Sequence, residues 1–277
     1  MDPDILNQII YLSYSEPSKD RRAAGTALAH GQLELSASPR LRKLKVIFSQ
    51  NRKTDSSRHF GSRIVIAPDR TLFLTVGDRG DRNRAQNPFD HAGSVIRLNR
   101  DGSVPRNNPY ASGNRALGEI WSTGHRNPQG AVWNPSTKSL WTVAHGAKGG
   151  DEINVVEKGA NYGWPVVTYG ENYSGTPITD ERSKTGMKDP IFYWLPSIAP
   201  SGFAYVTSEK FPELKGNLLV GSLKFQYLEL LELDGKKITK RTKLIDGAGR
   251  MRDVRQGPDG DIYVAIEGKG IAKLTNK

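Results

Sequence analysis

Apolar residues along this chain fall in short runs of three to six, separated by turns of the Pro-Asp and Asp-Gly type. Five such runs share one pattern after a turn: NQIIYLSYS, RTLFLTVGD, KSLWTVAHG, GNLLVGSLK and GDIYVAIEG. Aligned, they place Ile9, Leu72, Leu140, Leu218 and Ile262 in one column. Four are preceded by a second strand-like segment, SRIVIAPD, GAVWNPS, GFAYVTSE and DVRQGPDG. Further strands follow, as in SVIRLN, EINVV, LELLEL and GIAKL. Short β-rich runs with almost no helical periodicity predict an all-β chain of antiparallel sheets. The same strand, turn, strand order recurring along the chain favours a β-propeller over a sandwich. Only MDPDILNQ precedes the first run, so the pattern predicts about five blades, the first of them partial.

Composition narrows the chemistry. The 277 residues hold 36% hydrophobic and 25% charged positions, which is ordinary for a globular domain and excludes a disordered chain or a coiled coil. There is no cysteine, so thiolate catalysis, thiolate metal sites and disulfides are excluded, and any metal is held by oxygen or histidine. No run approaches the ~18 consecutive apolar residues of a membrane helix, and the first residues lack the pattern of an export signal. Forty Lys and Arg against 29 Asp and Glu leave a net charge of +11. The basic residues are scattered, as in KDRR, RLRK, KKITKR and GRMR, rather than gathered on one face, which argues against nucleic acid and for a solvated basic surface.

In each full unit the first two strands pair antiparallel, so the start of the first and the end of the second share one edge. Reading those positions gives His59 with Asp78, Arg126 and Asn127 with Gly146, Ser197 with Lys224, and Arg250 and Arg252 with Glu267. One histidine among several cations is a plausible layout for binding a small anion. Each residue also has a structural reading, the histidine as a hydrogen-bonded strand neighbour and the cations as surface charges. HGAKGGDEIN offers turn carbonyls and two carboxylates suited to calcium, or simply a glycine-rich turn. The absence of a phosphate-cradling glycine loop and of G-x-G-x-x-G argues against a nicotinamide dehydrogenase of the usual fold.

The motifs HFGSRIVIAPD, GHRNPQG, HGAKGGDEIN, NYGWP and MRDVRQGPDG, in this order, resemble the soluble aldose sugar dehydrogenases, relatives of soluble glucose dehydrogenase that use pyrroloquinoline quinone (PQQ). The resemblance runs from about residue 5 to the C-terminus. It implies a six-bladed propeller, here a single domain over residues 1–277 lacking its N-terminal blade, and oxidation of aldoses at the anomeric carbon to aldonolactones. His59 then matches the general base, with Arg252 beside the chemistry. Arg126, Asn127, Tyr173, Lys224, Arg250 and Arg252 match the quinone contacts. Gly146 and Ala147 match carbonyl ligands of a catalytic calcium, and Glu152 and the Tyr162 carbonyl match a structural one. An aldose substrate, an unidentified electron acceptor and a periplasmic location are implied, with a monomer or homodimer and no membrane insertion. A calcium-dependent lactonase and a non-catalytic carbohydrate-binding propeller are the competing readings.

Overall fold

The computed structural model describes residues 9–275, and they form five antiparallel meanders. The first sheet is β1 (Ile9–Pro17), β2 (Ala24–Glu34) and β3 (Arg40–Ser49). The second is β4 (Ile64–Ile66), β5 (Leu72–Val76), β6 (Ser94–Leu98) and β7 (Ile120–Ser122). The third is β8 (Pro128–Asn134), β9 (Ser139–Ala144), β10 (Asp151–Val156) and β11 (Phe192–Trp194). The fourth is β12 (Pro200–Tyr205), β13 (Leu218–Ser222), β14 (Leu228–Asp234) and β15 (Lys237–Ile245). The fifth is β16 (Met251–Gln256), β17 (Ile262–Ile266) and β18 (Gly270–Leu274). Each sheet keeps its strands in chain order, which is the blade unit of a propeller. The only helical element among the described residues is one 3₁₀ turn, Arg82–Gln86, which begins in the DRGDRN stretch. No helix among them is long and apolar enough to cross a membrane.

The repeated run supplies the second strand of the last four sheets, β5, β9, β13 and β17. In the first sheet it supplies β1, which pairs with β2 alone among the described strands. Second strands are apolar because they have neighbours on both sides and on both faces. All five residues of β5 are buried. Outer strands read differently: β3 and β15 are built from the basic runs RLRK and KKITKR, and most of their residues are exposed. Lysine and arginine on such edges oppose pairing with another chain.

The chain divides into two compact units. One holds the residues up to Asn127 together with Lys158–Trp164; the other holds Pro128–Glu157 and the chain from Pro165 onward. In the first unit Leu28, Phe48, Leu72, Leu74, Ile96 and Ile120 form the core between its two sheets. In the second, Trp141, Ile153, Trp194, Phe203 and Leu218 pack the third sheet on the fourth. Leu219, Leu228, Met251, Val254 and Val264 pack the fourth on the fifth. Complete burial of one such side chain contributes roughly 1.5–3 kcal/mol.

Candidate functional site

The hairpin β4–β5 sets the geometry of the first unit's site. His59 lies in the loop entering β4 and Asp78 in the loop leaving β5, so antiparallel pairing returns them to the same edge. His59 Nδ1 lies 2.5 Å from Asp78 Oδ1. The imidazole is 14% exposed and the carboxylate 2%. His59 is left-handed at φ 56°, a conformation few side chains adopt without reinforcement. The approach is close enough that a Cβ on Gly77 would meet the His59 carbonyl at 2.3 Å, so only glycine fits there.

Asp78 gathers three donors on its carboxylate and one acceptor on its N–H. Oδ1 also accepts from the Gly80 N–H at 2.7 Å, Oδ2 accepts from Trp164 Nε1 at 2.8 Å, and the Asp78 N–H donates to the Arg126 carbonyl at 2.8 Å. Burial alone raises the carboxyl pKa. The bond and charge of His59, the Gly80 N–H and the Arg126 charge outweigh it, so the pKa ends below the ordinary value. Asp78 is therefore an anion that accepts the Nδ1 proton. In the tautomer that gives Nδ1–H to this carboxylate, Nε2 is the nitrogen that can take a proton.

The neighbouring His125 cannot share that work: burial pushes its pKa down to about 3, its Nε2 is bonded to Ser122 Oγ at 2.8 Å, and it stacks on Tyr162. Arg126 lies with its guanidinium carbon 5.3 Å from the Trp164 ring centroid. Asn127 Oδ1 accepts from the Gly61 N–H at 3.2 Å, which ties GHRNPQG to the loop carrying His59. Thus the first unit brings together His59, Arg126 and Asn127. It adds Trp164, which sequence reasoning missed as a site residue although NYGWP was recognised. The indole reaches Asp78 from 86 residues away.

In the second unit Arg250 Nε and Arg252 Nη2 share Glu267, at 2.6 and 2.8 Å. Lys224 lines a cavity of about 470 Å³ with Lys148, Tyr169, Glu171, Arg182 and Leu195. Lys148 pairs with Glu171 at 2.8 Å. Ser197 turns to Asp151 rather than to Lys224. Tyr173 is 73% exposed and does not line that cavity.

The calcium expectation meets a mixed set. Ala147's carbonyl already accepts the N–H groups of Gly149 and Glu171, at 2.7 and 2.9 Å, so as it stands it does not offer a lone pair to a cation. Asp151, one of the two carboxylates in HGAKGGDEIN, is likewise engaged. Gly146 N–H and Ser197 Oγ donate to its Oδ1, and Ser197 Oγ, Ile198 N–H and Ala199 N–H donate to its Oδ2. Glu152 is different. Burial, with Asp151 and Asp189 nearby, pushes its pKa up to about 7 against one bond from Asn154. Asn154 donates that bond from Nδ2 and leaves its buried Oδ1 without a hydrogen-bond partner, so each residue has an oxygen of the kind a hard cation takes. Among the described residues no group of three or more His, Asp or Glu gathers as a metal centre.

A propeller-blade array carrying a histidine–aspartate pair beside an arginine and an indole accords with one enzyme family: residues 1–274 match the model of the Glucose / Sorbosone dehydrogenase family, and the chain belongs to it. It is 41% identical over 261 residues to Aldose sugar dehydrogenase YliI of Escherichia coli, covering 93% of this chain and 70% of that one. It is 31% identical to Quinoprotein glucose dehydrogenase B of Acinetobacter calcoaceticus, over 78% of this chain and 60% of the relative. A solved glucose dehydrogenase superposes with a TM-score of 0.94 at 36% identity, covering 99% of this chain and 80% of that one.

Proposed function

We propose that this chain oxidises aldoses at the anomeric carbon to aldonolactones, with PQQ as the acceptor. The observation that carries the reading is the His59–Asp78 pair, with its Nδ1–H committed to a buried anion and Nε2 left as a base. Family membership and the two named dehydrogenases support it. When bound, the quinone supplies a two-electron acceptor for the hydride lost from the sugar's C1. His59 Nε2 takes the proton of the C1 hydroxyl as that C–H bond breaks, and Asp78 steadies the imidazolium that results. Arg126, beside the Trp164 ring, is the cation of the first unit suited to the quinone's carboxylates. Glu152 and the Asn154 amide oxygen are the donors best suited to calcium; the Ala147 carbonyl does not fit that role, and no step is assigned to a metal.

The test is turnover of the full chain with PQQ, calcium and glucose, followed by dye reduction and by trapping of the lactone. Activity that falls by ~10²-fold or more in His59→Ala is the expected result. A folded protein that binds quinone but oxidises no aldose overturns the assignment, and lactone hydrolysis without quinone replaces it with a hydrolase.

A further inference from the structure

We infer that Arg79 is the positioning residue for His59, an inference that rests on the proposed function in which His59 is the base. Arg79 follows Asp78 directly and is 1% exposed. Its Nη1 donates to the Arg58 carbonyl and its Nη2 to the Ser56 carbonyl. Its guanidinium carbon lies 3.3 Å from the centroid of the Phe60 ring. The three partners bracket the histidine, two before it in the chain and one after. The planar fork holds two carbonyls at once while its face covers an aromatic ring, a combination that lysine cannot reproduce.

Stability alone does not account for this residue. No carboxylate lies within ion-pair distance of Arg79 among the described residues, and its Nε is buried with no hydrogen-bond partner. A cation placed so is costly. Burial, with Arg84 nearby and Asp78 opposing, lowers its pKa to about 10, which still leaves it charged at neutral pH. What the charge accomplishes is local. His59 and Arg79 are both left-handed, at φ 56° and 58°, so both loops hold conformations that need support. The same short turn carries the carboxylate that orients the imidazole and the guanidinium that clamps the backbone on either side of it. Ring and partner are thereby fixed as one piece. Reaction geometry is sensitive to displacements of about 1 Å, each of which can cost ~10²-fold in rate.

The experiment uses the full chain free of cofactor, with ¹⁵N-labelled histidine, and reads the His59 Nδ1 proton by NMR alongside steady-state kinetics of the quinone-loaded protein. In Arg79→Met we expect that proton to exchange with water ~10-fold faster or more. The turnover number falls ~10- to 10²-fold with KM for the aldose little changed. Arg79→Lys, which keeps the charge but loses the fork, falls between wild type and Arg79→Met in both measurements. A merely structural arginine would lower the melting temperature and leave the proton and the turnover number at wild-type values below it, and that result overturns the inference. Should Arg79→Met fail to fold, Arg79→Lys decides: exchange equal to wild type rejects the role. If the wild-type protein oxidises no aldose, the proposed function falls while the proton exchange still tells whether Arg79 holds the ring.

Discussion

Asp78 shows how one buried carboxylate can define a site. Its two oxygens accept from an imidazole, a backbone N–H and an indole, and the amide in Asp78→Asn can reproduce this only by losing one of them. We expect that variant to lose ~10²-fold or more in turnover number while still binding quinone, measured by rapid kinetics and by cofactor titration. The same residue sets a pH dependence. Because its folded pKa lies below the ordinary 3.8, ionised Asp78 stabilises the fold above that value, and the contribution drains away as pH falls through the lower folded value. Urea midpoints between pH 6 and 3 should therefore fall more steeply for wild type than for Asp78→Asn. Glu152 makes a separate prediction: calcium raises the melting temperature of wild type, and Glu152→Gln removes that rise in calorimetry. Of these residues, His59 and Asp78 were legible together because a hairpin returns the two ends of SRIVIAPDRTLFLTVGD to one edge. Trp164 was not, since nothing local links NYGWP to the end of β5. The Asp151 role was hidden for a similar reason. Its donors at 197–199 lie far along the chain, so the carboxylate reads in sequence as a free metal ligand.

At the scale of elements, the inner strands were readable and the outer ones were not. β5, β9, β13 and β17 each repeat a turn followed by an apolar run, because central strands have a partner on both sides; β5, β9 and β13 are almost wholly buried and β17 partly so. β7 and β11 are only three residues long, too short for any periodicity to show. β3 and β15 are long but alternate weakly, and their lysines and arginines read as surface charge, which they also are. Two substitutions test how these elements are held. Leu74→Ala in fully buried β5 should cost about 2–5 kcal/mol in urea unfolding. Asp151→Ala at the start of β10 leaves the N–H groups of Gly146 and Ile198 without their acceptor, while Ala199 keeps Ser197 Oγ, and should cost about 2–4 kcal/mol by the same measurement. A loss under about 1 kcal/mol there would mean that water replaces the carboxylate.

For the whole molecule, the net charge of +11 and the apolar side chains of β1, which pairs with β2 alone among the described strands, act against each other. Ile10, Leu12 and Tyr14 stand on one face of β1, each between 37% and 40% exposed, a short apolar row on a strand that ends its sheet among the described strands. Mutual repulsion keeps such edges apart at low ionic strength, and salt screens it over about 10 Å at 0.1 M. Sedimentation should accordingly show self-association that grows with salt and protein concentration, and the pair Ile10→Lys and Leu12→Lys should abolish it; association unchanged in that variant would place the contact elsewhere. The discontinuity of the first unit has a consequence for biosynthesis. Its indole arrives only after three strands of the second unit have been made, so a nascent polypeptide that has emerged as far as Asn127 already possesses His59 and Asp78 but not the group that caps the other carboxylate oxygen. Completion of the hydrogen-bonded cluster around Asp78 is thus deferred until translation has run well past the two residues at its centre.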